Sequence, residues 1–372
     1  MAETGAAGPP ASVRVGLVGY GLGGSSFHAP FIDATPELDL VAVVTTDPGR
    51  RALVLQRHPL AEVVGSVEEL LARADLDLVV VTTPNATHVP LAMAVLRSGR
   101  HVVVDKPVAP TAEEARAVAW VAAEHGRVCI PFHNRRWDGD FRTVRDLVDR
   151  GRLGPLQRAE IRWERWRPQT VAAPGRAWKD DPAPGAAGGV HFDLGPHLVD
   201  QALLLLGRPA TVYAELGTRR AGARAVDDAF LGLTFPGGAV AHLTMSLTVG
   251  GPLPRFHVVG RDTTYVGVTT MDPQEAALAE GRLPGGPGWG SVDDSEWGAL
   301  QAGNETVAVP TLPGDYGAFY RGVARTVLAG DSPPVTIGEA VTVLEVLDAA
   351  RRSAEDGTVV RLPERPMARW NA

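Results

Sequence analysis

From Val13 to Cys129 the chain alternates apolar strand segments with helical ones, and few folds accept such an alternation. The strand segments are "VRVGLVG", "LDLVAVV", "AEVVG", "LDLVVVTTP", "HVVVDK" and "RVCIPF". They are near-continuous Val/Leu runs, which is how parallel strands covered on both faces read. Between them lie helical stretches at about 22–35, "PGRRALVLQRH", "VEELLARA", "PLAMAVLRSG" and Thr111–His125, the last opened by a Thr111–Glu114 capping pattern. This repetition predicts a doubly wound α/β domain of the Rossmann, dinucleotide-binding kind over 13–130.

The pattern changes over 131–372. After a helix near Phe141–Arg150 come "LQRAEIRWERW", a helix at about 195–206, and then "ATVYAELGTRR", "AFLGLTF", "AVAHLTMSLTV", "RFHVVG" and "TTYVGV" with turn residues between them. "FPGG" is a hairpin signal. An α+β domain with a large, mostly antiparallel sheet is predicted. Met271–Pro313, rich in Gly and Pro with Trp289 and Trp297 embedded, reads as a long surface excursion, a lid or an oligomer contact. Helices at 316–329 and 338–355 and a short strand "TVVRL" close the chain. The 372 residues suit two domains at about 150 residues each.

Gly19-Tyr20-Gly21-Leu22-Gly23-Gly24 satisfies G-x-G-x-x-G and stands where the motif must stand, after the first strand and at the opening of a helix. Gly19 permits the turn, Gly21 admits a pyrophosphate, Gly24 allows close packing, and the helix N-terminus supplies amide donors. A glycine turn without a ligand is the plainer reading. The second strand ends in Thr45-Thr46, where an NAD site usually carries an acidic residue. Threonine hydroxyls can donate to a ribose 2′-phosphate, and Arg50 or Arg51 can neutralise it. Asp47 reads as the cap of the next helix. NADP(H) is favoured on this ground, with NAD(H) still open through Asp47.

Asp105-Lys106-Pro107 ends the fifth strand, on the sheet edge that faces the ligand crevice. A lysine there can donate to a carbonyl or hydroxyl oxygen and pass a proton. In "GAAGGVHFDLGPHLVDQALLLLG", Asp193 and His197 are spaced i,i+4 and share a face, with His191 close by. Together with a lysine they suit proton transfer coupled to hydride transfer. Alone, Asp193 reads equally as a cap and His197 as a core histidine. No zinc-type ligand set is visible, so no metal is expected. In "FHNRRWDGDF", Asn134, Arg135, Trp137 and Asp138 can bind and stack on a polyol, or Asp138 can cap the next helix. In "IRWERWRP", alternation puts Trp163 and Arg165 on one face and Arg162, Glu164 and Trp166 on the other.

The formal net charge of −7 argues against a general nucleic-acid or acidic-membrane binder. Residues 1–12 carry no leader-like pattern and read as a disordered tail, and no apolar run spans a membrane. Cys129 is the single cysteine, so no internal disulfide forms, and its apolar surroundings make it a core residue. A cytoplasmic protein is expected.

Together these motifs resemble the Gfo/Idh/MocA oxidoreductase family, over nearly the whole chain from Val13 to about Leu362. "GYGLGGSSFHAPFI", "HVVVDKP", "HNRRWDGDF" and "GGVHFDLGPHLVDQ" carry the likeness. The first and third are similar to a subgroup containing scyllo-inositol dehydrogenases. The resemblance implies Lys106 as the catalytic lysine, also touching the nicotinamide ribose, with Asp105 in place of the family's usual Glu. It implies a cis Lys106–Pro107 peptide, Asp193 and His197 as catalytic partners with His197 the proton shuttle, and Thr83-Pro84-Asn85 with His88 along the cofactor. Substrate contacts fall to Asn134, Trp137, Arg165, Asp193 and His197. The same resemblance implies substrate binding and oligomerisation for the domain over 131–372. His28 reads as structural or cofactor-adjacent.

The function expected is an NAD(P)-dependent oxidoreductase acting on a secondary alcohol or ketone of a cyclitol, sugar or sugar derivative, assembled as a homodimer or homotetramer through the outer face of the large sheet. The alternatives are a keto-sugar reductase of a biosynthetic pathway and a non-catalytic dinucleotide-binding regulator. Retention of Lys106, Asp193 and His197 together speaks for an enzyme, since a regulator needs no such trio.

Overall fold

The computed structural model describes residues 12–170, 177–251, 253–267 and 272–364. The expected N-terminal tail, Ser12 apart, lies outside the described residues.

Six strands form the first sheet: β1 (Val13–Val18), β2 (Leu38–Val44), β3 (Glu62–Val64), β4 (Leu78–Val81), β5 (His101–Val104) and β6 (Cys129–Pro131). Their order is β3-β2-β1-β4-β5-β6, and every pairing is parallel. The order reverses between β1 and β4, which opens a crevice at the carboxyl ends of those strands. The continuous valine runs have a simple cause. Val79, Val81, Val102 and Val104 join the core on one face of the sheet. Leu78, Val80 and Val103 join a second core on the other face.

That second core is completed from far along the chain. Phe319, Tyr320 and Val323, on the helix Gly317–Ala329, pack with Val15, Leu17 and Phe31.

The second sheet has nine strands: β7 (Leu156–Glu164), β8 (Thr211–Gly217), β9 (Asp228–Thr234), β10 (Val240–Ser246), β11 (Phe256–Gly260), β12 (Thr264–Val266), β13 (Gly298–Ala302), β14 (Glu305–Val309) and β15 (Val360–Arg361). The order is β14-β13-β12-β11-β7-β10-β9-β8-β15, antiparallel except where β10 runs parallel to β7. Helices Gly195–Leu206 and Ile337–Asp356 cover its inner face, where Ala159, Ile161 and Trp163 of β7 are buried. Arg158, Glu160, Arg162 and Glu164 of β7 take the opposite face.

Two expectations change. Much of the stretch read as a surface excursion is built into the fold. Met271 lies outside the described residues, but Pro273–Ala279 is a helix and β13 and β14 extend the sheet as a hairpin. Trp289 packs edge-on against Phe31 at 6.3 Å, and its Nε1 donates to Gln274 Oε1 at 3.0 Å. Short strands among many glycines carry too little period-two signal to be read from sequence. Asp138 precedes the helix Gly139–Asp149 without capping it. Its fully buried carboxylate pairs with Arg255 at 2.8 Å and accepts from Tyr316 Oη at 2.6 Å. A buried charge needs such charge-assisted partners more than a helix end needs a cap. Asp272 accepts from Gly139 N in its stead, at 2.7 Å.

Candidate active site

The glycine-rich turn sits at the switch point between β1 and β4. Gly19 has φ of +97°, and an added Cβ would lie 2.8 Å from Thr82 O. At Gly24 an added Cβ would lie 2.3 Å from Gly19 O, so only glycine lets this first helix close on its own loop. Gly21 is different: nothing lies within 4 Å of where its Cβ would be. That open face at a helix start suits a pyrophosphate, and a dinucleotide fits here. The helix opens with a π-helical stretch, Gly23–His28, before Ala29–Asp33.

The other residues expected on this side fall into two groups. Thr46, Arg50 and Leu22 are exposed or partly so around the β2 end and the loop, and Thr45 Oγ1 accepts from Asp47 N at 3.3 Å. Asp47 caps the helix Pro48–Arg57, accepting from Arg50 N at 2.8 Å, so its carboxylate is committed. Tyr20, Asn85 and His88 turn their side chains inward. Tyr20 Oη meets His58 Nε2 at 2.7 Å, and His58 Nδ1 meets Asp33 at 2.6 Å. Asn85 donates to Ala187 O at 3.0 Å. His88 bridges Pro107 O and Thr83 O, each at 2.8 Å, and so ties the Thr83-Pro84 turn to the Lys106–Pro107 peptide, which is cis. Their side chains are spent on holding the crevice in shape.

Lys106 reaches from the end of β5 to the break between the helices Val190–Asp193 and Gly195–Leu206. Its Nζ donates to Asp193 Oδ1 at 3.0 Å and to Asp193 O at 2.5 Å. Lys179 Nζ donates to the same Oδ1 at 2.8 Å. Burial works against the Asp193 carboxylate, but Lys106 and Lys179 outweigh it and hold the group well below the usual carboxylate range. His197 stands one turn on. Burial, with Lys106, Arg135 and His133 adding to it, holds its imidazole well below 6.5 and therefore neutral near pH 7. The structure thus brings Lys106, Asp193 and His197 together.

Asp105, beside Lys106, is held at about 2. Burial opposes its charge, and a hydrogen bond and the field of His28, with Lys106 and His88, override the burial. His28 lies 3.8 Å from this carboxylate and bonds Tyr320 Oη at 2.6 Å. It is therefore nearer the lysine than its place in the first helix suggested. His191 is pushed down to about 4 by burial and Arg351. Cys129 is buried and pushed up to about 12 by burial alone, a core thiol.

Arg165 follows Trp163 on the inner face, its guanidinium 5.2 Å from the Trp163 ring. Asn134 is buried at the start of the turn Asn134–Trp137. Trp137 packs edge-on against Phe319 at 5.8 Å, in the aromatic core beside the first sheet. Three features escaped sequence reasoning. Lys179 is one. The second is the Arg136–Asp200 pair, 2.6 and 2.8 Å, backed by Glu339 at 3.1 Å. The third is Gln201, which donates to Arg135 O at 3.0 Å. These contacts dock the "HNRRWDGDF" turn onto the helix that carries His197. Asp200 and Gln201 stand three and four residues past His197, and that spacing was the readable signal.

A model of the oxidoreductase family with an NAD-binding Rossmann fold matches residues 13–133, and one of the GFO/IDH/MocA C-terminal domain matches 141–266. The chain belongs to the Gfo/Idh/MocA family of oxidoreductases. It is an NAD(P)-binding oxidoreductase of that family. A relative from Bacillus subtilis (strain 168), scyllo-inositol 2-dehydrogenase (NADP(+)) IolW, is 34% identical over 94% of this chain and 96% of its own. The uncharacterized oxidoreductase YdgJ of Escherichia coli (strain K12) is 37% identical over 92% and 97%. The solved structure of yvaA from Bacillus subtilis superposes with a TM-score of 0.88 at 33% identity, covering 95% of this chain and 99% of that one. No helix among the described residues is long and apolar enough to cross a membrane.

Proposed function

We propose that this family member interconverts a secondary alcohol and a ketone on a cyclitol, sugar or sugar derivative, with NADP(H) preferred. The observation that carries the reading is Lys106 Nζ on Asp193, with His197 one helical turn away, at the carboxyl end of β5. The bound nicotinamide supplies a hydride acceptor or donor at its C4. The chain's own residues do the rest. Lys106, aimed by Asp193, donates a hydrogen bond to the reacting oxygen and stabilises it as its negative charge grows. Neutral His197 takes the hydroxyl proton in oxidation and returns it in reduction. Asp193 orients both. Asn134 and Arg165 hold the rest of the substrate.

Thr45 and Thr46 at the ribose end, with Asp47 committed as a cap and Arg50 exposed, support the NADP(H) preference. The NADP(+) in the Bacillus relative's name agrees with it. The same name supports a cyclitol as the first substrate to try. We infer a homo-oligomer formed through the outer face of the nine-stranded sheet, to be read by light scattering. A cytoplasmic location accords with the lone buried Cys129.

The test is absorbance at 340 nm with a polyol and keto-sugar panel. Turnover of at least one cyclitol or sugar is expected. Silence across the panel with both cofactors would overturn the reading and favour a dinucleotide-binding regulator.

A further inference from the structure

Three cations, Lys106, Lys179 and Arg165, gather on the substrate side of the trio. Lys106 and Lys179 converge on the single carboxylate of Asp193. Arg165 comes to the same place along the inner face of β7. The charges that bear most on its guanidinium are Arg167, Arg135 and Arg255, with Asp193 the one carboxylate among them. Arg135 and Arg255 are committed elsewhere, to Asp138, Asp140 and Glu275.

Arg165 is not committed. Its backbone amide is tied to Ser246 O at 2.8 Å, and its guanidinium lies over Trp163. Among the described residues that guanidinium makes no hydrogen bond and no ion pair. The neighbouring segment 171–176, outside the described residues, contains no Asp or Glu that could supply one. Asp105, the acid beside Lys106, belongs to the dinucleotide side: it accepts from Lys106 N at 2.8 Å and lies 3.2 Å from where a Gly23 Cβ would stand.

A half-buried guanidinium without an anion is a cost to the fold. Its planar fork matches a carboxylate or a phosphate and is far less suited to lone hydroxyls. A neutral cyclitol would leave it with hydroxyl acceptors alone.

We propose that Arg165 is the floor of an anion subsite, with Lys179 on its flank, and that the natural substrate is a sugar or cyclitol derivative bearing a carboxylate or phosphate ester near the reacting hydroxyl. The proposal rests on the dehydrogenase reading above and narrows its substrate class. Asp193 and Lys106 set the reacting hydroxyl, while Arg165 sets which end of the substrate lies deep. The Trp163 ring, 5.2 Å from the guanidinium, offers it a cation–π contact.

Two measurements separate this idea from the reading it rests on. The first is binding without turnover. The protein saturated with NADPH is titrated calorimetrically with D-glucuronate, D-gluconate, D-glucose 6-phosphate, D-glucose and myo-inositol. At least one anionic ligand is expected to bind about tenfold or more tightly than its neutral counterpart, the scale of one charge-assisted hydrogen bond. That preference is expected to weaken in salt and to vanish in Arg165→Met. Arg165→Lys keeps the charge without the fork and is expected to retain part of it, with melting curves establishing that both variants fold. Carboxylate and phosphate arms that differ name the source of the anion. Equal binding of neutral and anionic ligands, or a preference untouched by Arg165→Met, overturns the proposal whether or not anything turns over. The second is the ratio of kcat/KM for anionic over neutral substrates, expected to collapse towards one in Arg165→Met. If anions bind through Arg165 but nothing is oxidised or reduced, the dehydrogenase reading fails and the subsite stands.

Discussion

The two sides of the crevice are built differently. The dinucleotide side is made of backbone: one glycine turn, one helix start, the ends of β2 and β4. Its pieces are local in sequence, and its specificity lies in where Cβ atoms are missing. The substrate side is made of charge. Lys106, Lys179 and Asp193 hold one another by ion pairs, and Arg165 comes up beside them from a fourth segment.

The largest effect expected is on the charge side alone. Lys106→Met should lower kcat/KM by about 10³-fold, since it removes the donor to the reacting oxygen. NADPH binding, followed by fluorescence titration, should persist. Equal losses in both would break the division drawn here. Next comes a pair of glycines. Gly21→Ala meets no protein atom within 4 Å, so its Tm should stay while NADPH affinity falls about tenfold. Gly24→Ala, aimed 2.3 Å from Gly19 O, should lose Tm as well. If the two alanines behave alike, Gly21 does not face the ligand.

Thr46→Glu should then shift the ratio of NADPH to NADH dissociation constants about tenfold towards NADH, through repulsion of the 2′-phosphate. An unchanged ratio would sink the reading of the β2 end.

The smallest effect lies beneath Trp163, where Asp138 and Asp140 pair with Arg255 and Asp272 stands near Asp138. Burial first, then neighbouring carboxylates, raise Asp140 to about 7 and Asp272 to about 6, with Arg255 pulling Asp140 the other way. Both folded values lie above the ordinary 3.8. The folded state therefore holds protons that the unfolded chain releases. The stability they contribute is full below the ordinary carboxylate range and is lost as pH rises through 6 and 7. Tm should fall between pH 5 and pH 8, and Asp272→Asn should flatten that fall by a few degrees.

His197, the proton shuttle proposed above, titrates in the opposite sense. Because His197 is held well below 6.5, the acid limb of kcat/KM for oxidation should also lie below that value in a pH profile.

Legibility followed the same division. The first sheet and its glycine turn were readable because valine runs and G-x-G-x-x-G are contiguous signals with one physical meaning each. Lys106, Asp193 and His197 were readable as pieces: a strand end and an i,i+4 pair. What joins them was not. Lys179 stands beside Asp180 and Asp181 and looks like any solvated charge. Only a turn, in which Gly189 N donates to Lys179 O at 2.8 Å, aims it at Asp193. Arg136 and Asp200 are 64 residues apart, so their pairing is invisible to any local pattern. Trp137 carried the residue type of a sugar platform, but the aromatic core beside it claimed the ring. The hairpin of β13 and β14 hid among glycines for want of an apolar face: four of the five residues of β14 are exposed.

The helix Gly317–Ala329 has a consequence for the order of synthesis. It seals one face of the sheet made by the first third of the chain, through Phe319, Tyr320 and Val323. The emerging N-terminal segment thus contains every strand of its sheet long before the ribosome delivers the cover. At cellular elongation rates that interval is about ten seconds or more. During it Val15, Leu17 and Phe31 lack the cover that Phe319, Tyr320 and Val323 supply, and the half-made oxidoreductase is a client for whatever in the cell holds exposed valine and phenylalanine.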